Sequence, residues 1–122
     1  NDGVVTEGST FVANIKNIVK NIRARCPDAE IAVVTSMLPN EKVGYQQGTC
    51  LRNYHAVYPG LLAEAEEKWE GVGVADVTAA HTEILARKKF QDTTSSNTNH
   101  PNDFMHRIYA QVLLRTLLGE EF

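Results

Sequence analysis

Glu30-Ile31-Ala32-Val33-Val34-Thr35 is the stretch that decides the fold. It is short, β-branched and apolar without alternation, the pattern of a strand buried on both faces of a parallel sheet. Val72-Gly73-Val74-Ala75-Asp76-Val77 reads the same way. Between them lies a helical stretch from near Leu51 to about Glu70, with Leu61, Leu62, Ala65 and Trp69 as its inner stripe. Pro59-Gly60 is placed to kink or divide it. Strand, helix, strand in that order predicts a βαβ unit, hence an α/β protein with a parallel sheet.

Upstream, Phe11, Ile15, Ile18, Val19 and Ile22 recur at helical spacing, with Ser9 as the expected N-cap and Pro27 just past the end. Downstream of the first strand, Ser36 to Thr49 is a long loop rich in turn formers, the kind of segment that lines a site. After the second strand come a short helix over about Ala79 to Lys88 and a polar segment from Gln91 to Asn99. The chain then enters an amphipathic helix from about Pro101 to Leu118, closed by Gly119. Two parallel strands cannot shield their own edges and faces. The expectation is therefore a partial three-layer α/β/α sheet, completed by a second copy or by a complementary N-terminal segment.

Residues 1–122 are 43% hydrophobic and 22% charged, the balance of one globular domain. The net charge of −3 comes with Lys and Arg scattered among Asp and Glu, which argues against a nucleic-acid or anionic-membrane partner. No apolar run is long enough to span a bilayer, and the first residues lack the basic and apolar regions of a signal peptide. The compartment stays open. Cys26 and Cys50 have no CxxC spacing and read as packing or loop residues. His55 and His81 are isolated and read as surface or packing histidines, and no spacing suggests a metal or cofactor site. Asp76, at the end of the second strand, reads as the cap of the next helix rather than a cleft residue.

Chemistry is concentrated in Asn97-Thr98-Asn99-His100-Pro101-Asn102-Asp103. Pro101 suits the first turn of the last helix, which would put His100 at that helix's N-terminal boundary, on the carboxyl edge of the sheet. An imidazole there can serve as a general base, or it can simply cap the helix.

Asn99-His100-Pro101-Asn102-Asp103, followed by His106, Tyr109 and Ala110, resembles the final block of SGNH/GDSL-type ester hydrolases. In that family a histidine directly before Pro-Asn activates a serine. Asn1-Asp2-Gly3 is similar to the family's Gly-x-Asn-Asp block, which implies Asn1 as a donor to the oxyanion, a role generally worth about 3 kcal/mol of barrier. The order of elements between these blocks fits as well. The resemblance implies a flavodoxin-like SGNH fold lacking its N-terminal strands, with residues 1–122 forming the C-terminal portion of one hydrolase domain.

Two departures shape the expectation. The family's serine stands in a Gly-Asp-Ser block on its first strand, and no such block occurs here; Ser9, Ser36, Ser95 and Ser96 are the only serines. Ser36 follows a strand, but Met37-Leu38-Pro39 would not start the helix of a nucleophile elbow. The family often has aspartate three residues before the histidine, and Asn97 stands there instead. Asn97, a backbone carbonyl or Asp92 would then orient the ring, with a Ser–His dyad favoured. The implied activity is hydrolysis of a small-molecule, carbohydrate or lipid ester, with the serine supplied from upstream and the isolated chain inactive. The alternative is a non-catalytic carbohydrate- or protein-binding module on the same fold.

Overall fold

A computed structural model describes residues 6–43, 53 and 57–119. Its elements run α1 (Gly8–Arg25), β1 (Ile31–Val34), α2 (Tyr58–Glu66), β2 (Val72–Ala75), α3 (Val77–Leu85), a 3-10 turn (Phe90–Thr93) and α4 (Asp103–Leu118). The protein is thus mixed α/β, with four α-helices and a two-stranded parallel sheet among the described residues. Both strands fall on the two apolar runs, in the register Ile31↔Val72 to Val34↔Ala75.

Helices α1 and α2 share a layer. The Phe11 and Tyr58 rings stack with centroids 4.0 Å apart, and the Tyr58 hydroxyl donates to the Thr6 carbonyl at 2.6 Å. Gly8 permits the close approach, since a Cβ there would fall 2.7 Å from Val57 Cγ1. Helix α4 packs on both strands, and Gly73 makes room for it: a Cβ at this position would lie 3.1 Å from Thr116 Cγ2. The buried core around Met37, Val77 and Met105 is extended by Ile84, Phe90, Phe104, Ile108 and Tyr109, so it joins α3, α4 and the segment leaving β1.

Several helix ends differ from the sequence expectation. Helix α1 opens at Gly8 behind Glu7, whose side chain makes no cap bond; Ser9 lies inside the first turn. Close packing of Gly8 on α2 outweighs a cap preference of about 1 kcal/mol. Pro59 sits in the first turn of α2, where its missing N–H costs nothing, two residues after Val57, itself in helical conformation. Most of the stretch expected to be helical before Tyr58 lies outside the described residues. Helix α3 starts at Val77 because the Asp76 carboxylate caps it, accepting from the Ala79 N–H at 3.0 Å.

Helix α4 carries the main correction. Its N-cap is Asn102, whose side chain accepts from the Met105 N–H at 3.1 Å. Pro101 stands outside the helix, bridged to Thr94, so His100 lies two residues before the cap instead of at the helix boundary.

The two sheet edges are unequal. In the parallel pair the N–H groups of Ile31 and Thr35 point to β2, and alternation turns those of Ala32 and Val34 the other way. On the far side of β2, the Val74 N–H donates to Glu66 Oε1 at 2.6 Å. That edge is therefore capped by a carboxylate from α2. Among the described residues no strand pairs with the outer edge of β1.

Candidate functional site at the carboxyl ends of the strands

Where β1 and β2 end, polar side chains tie the exits together. Thr35 Oγ1 donates to Asp76 Oδ1 at 3.0 Å and accepts from the Thr78 N–H at 2.9 Å. Thr78 Oγ1 in turn donates to the Ser36 carbonyl at 2.7 Å. Asp76 is thus committed to capping α3 and holding Thr35, as expected of a structural carboxylate.

The segment leaving β1 is pinned at three successive points. The Met37 N–H donates to the Tyr109 hydroxyl at 2.6 Å, the Leu38 N–H to His81 Nδ1 at 2.9 Å, and the Asn40 N–H to the Thr98 carbonyl at 3.0 Å. Burial raises the Tyr109 pKa, with the Met37 N–H pulling the other way.

His81 is fully buried, and its surroundings select one tautomer. Nδ1 accepts from Leu38, and the Thr93 hydroxyl, 3.0 Å from Nε2, already donates to the Phe90 carbonyl at 2.7 Å. Nε2 must then carry the proton. Burial depresses the His81 pKa from 6.5 to about 4. The sequence marks His81 only as a surface or packing histidine and does not show that it joins two loops. Its spacing from Val77 and Ile84 on the inner face of α3 was the available signal.

His100 is carried on a closed loop. Thr94 and Pro101 form an antiparallel bridge, and the His100 carbonyl accepts from the Ser95 N–H at 3.0 Å and from Thr94 Oγ1 at 2.7 Å. Asn97 sits within this loop at φ 57°, a left-handed conformation that asparagine tolerates better than most residues. Buried Asn40 reaches into the loop, its Nδ2 donating to the Asn97 carbonyl at 2.6 Å. The loop is thereby fixed against the β1 exit, and His100 is exposed upon it.

The other residues singled out from sequence fall in different places. The Asn97 side-chain oxygen lies 3.5 Å from Asn40 Nδ2. The Asp92 carboxylate accepts from the Lys89 N–H at 3.2 Å, within its own 3-10 turn. Among the described residues none hydrogen-bonds the His100 ring. Asn1, His55 and Cys50 lie outside the described residues, as does the part of the long loop beyond Val43. Cys26 is exposed and unbridged at the end of α1.

Beside the strand exits, Ser36, Phe11, Val34, Thr35, Tyr58 and Leu62 line a cavity of about 120 Å³. No helix follows Ser36, so it lacks the elbow of an exposed nucleophile. A wider depression of about 400 Å³ runs along α3 past Asp76, Thr78 and Glu83. His100 borders neither. Among the described residues no three His, Cys, Asp or Glu side chains converge to hold a metal ion, and no helix is long and apolar enough to cross a membrane. No family model, curated protein or solved structure matches the chain.

Proposed function

We propose that this chain is the C-terminal portion of an SGNH/GDSL-type serine ester hydrolase, on a flavodoxin-like sheet whose N-terminal strands and nucleophile come from polypeptide upstream of Asn1. The observation that carries the reading is His100: an exposed imidazole, on a loop fixed to the β1 exit, at the end of the sheet where α/β proteins bind ligands.

In the proposed reaction His100 takes the proton of the serine hydroxyl as its oxygen bonds to the ester carbonyl carbon. Negative charge moves to the carbonyl oxygen, where the Asn1 side-chain amide donates to it. The tetrahedral intermediate collapses, the alcohol leaves with the proton from His100, and water repeats the sequence to free the acid and the serine. Asn97 would orient the imidazole by rotating from Asn40 toward it; Asp92 would have to leave Lys89 to do so. The substrate class is a carbohydrate, lipid or other small-molecule ester.

The test is hydrolysis of p-nitrophenyl acetate by the chain joined to the residues encoded ahead of Asn1. Turnover should fall by about 100- to 10,000-fold in His100→Ala, and the 122-residue chain alone should be inactive. Hydrolysis by the chain alone, or turnover indifferent to His100, would refute the proposal. An inactive longer polypeptide that still binds the ester would favour the binding-module alternative.

A further inference from the structure

We infer that His81 is a positioning residue for the loop that carries His100: it holds the neck of that loop whether charged or not, and the segment leaving β1 only while neutral. Acid then frees the tip of the loop about a fixed neck. What this motion means for catalysis rests on the hydrolase reading of His100; the motion itself does not.

The two ring nitrogens serve different parts of the loop. Its neck is closed by the Thr94–Pro101 bridge and by the Asn102 N–H, which donates to the Thr93 carbonyl at 3.2 Å. Nε2 reaches this neck through the Thr93 hydroxyl at 3.0 Å, and Thr93 is fully buried. In the tautomer fixed by Leu38 and Thr93, Nε2 bears a proton both before and after the ring is charged, so this bond survives acid. Nδ1 accepts from Leu38, and two residues further on Asn40 holds the tip of the loop, its N–H on the Thr98 carbonyl and its Nδ2 on the Asn97 carbonyl. A proton on Nδ1 sets two donors 2.9 Å apart. Leu38 must then move off the ring, and Asn40 moves with it.

The elements around the ring supply no other group to trigger the release. Glu41 and Lys42 on the segment leaving β1, Asp92 in the 3-10 turn and His106 on α4 are exposed. Tyr109, which joins the same core from α4, has its pKa raised by burial and stays protonated from neutral pH into acid. Burial lowers the His81 pKa to about 4, which places the release on the acid side of neutrality.

Amide hydrogen exchange in the 122-residue chain, corrected for the intrinsic pH dependence of each amide, tests both sides of the ring. Between pH 7 and pH 4.5 the Leu38 and Asn40 amides should open about 50-fold more often, while the Asn102 amide changes by less than about threefold. Val112, inside α4, reports that the core stays closed. His81→Asn keeps an acceptor near the Nδ1 position and loses the reach to Thr93. It should keep Leu38 slow at both pH values and speed Asn102 by about tenfold. His81→Gln keeps a donor for Thr93 and loses the Leu38 acceptor, so at pH 7 it should already show the acid pattern. No acid effect at Leu38, acid opening that takes Asn102 or Val112 along with it, or two variants that loosen both sides alike would overturn the proposal, because His81 would then only fill space. If the pattern holds while His100→Ala leaves ester turnover unchanged, the hydrolase reading falls alone; in the reverse case the positioning role does.

Discussion

Leu38 donates its backbone N–H to Nδ1 of His81 across 2.9 Å, so the segment leaving β1 is held by an imidazole that must stay neutral. Protonation would turn this acceptor into a donor facing a donor. With the folded-state pKa depressed to about 4, the unfolded chain binds more protons than the folded one between about pH 4 and 6.5. The His81 contribution is therefore complete above pH 6.5 and lost as pH falls toward 4, by about 3 kcal/mol in all. Urea melts at pH 7.0, 5.5 and 4.5 should show this decline, and His81→Asn should flatten it. An unchanged slope in the variant would remove His81 as its source.

Tyr109→Phe deletes the acceptor for Met37 and little else. Leaving that partly buried N–H unpaired should cost about 1–3 kcal/mol in urea unfolding at pH 7. A cost below 0.5 kcal/mol, the usual scale of a surface substitution, would mean that water replaces the hydroxyl there.

Asn40→Ala should loosen the His100 loop selectively. The variant loses the bond to the Asn97 carbonyl and the Asn40 Oδ1 acceptor for the Lys42 N–H. Limited proteolysis should then cut between Thr94 and Pro101 sooner than in the parent, with α4 still protected. Cleavage elsewhere first would show that Asn40 supports the whole core instead.

Asp76→Ala removes the α3 cap and the partner of Thr35 together, and should destabilise by about 1–2 kcal/mol. Asp76→Asn keeps an acceptor for Ala79 and should recover more than half of that loss in the same melts. If the two variants are equally damaged, the carboxylate charge rather than its geometry is what matters.

The strands were legible because continuous apolar runs have few other uses in a chain of this composition. Asp76 was legible for the same local reason: a carboxylate between a strand and a helical pattern finds orphan N–H groups next to it. Ser9 and Pro101 misled because their placements are decided by tertiary contacts, Gly8 against α2 and Thr94 against Pro101. His81 could be placed on an inner face but not given its role, since Leu38 is 43 residues away and Thr93 is 12. The left-handed Asn97 and its contact with Asn40 were hidden likewise, for no local pattern announces which distant amide will close a loop.

Glu66 has a consequence for assembly. Stacks of sheets elongate into fibres only when both flanks of each unit are adhesive, and here the Val74 N–H on one flank is already taken by a side chain of the same molecule. A newcomer seeking to lengthen the sheet on that flank would first have to displace the Glu66 carboxylate, which works against filament growth there.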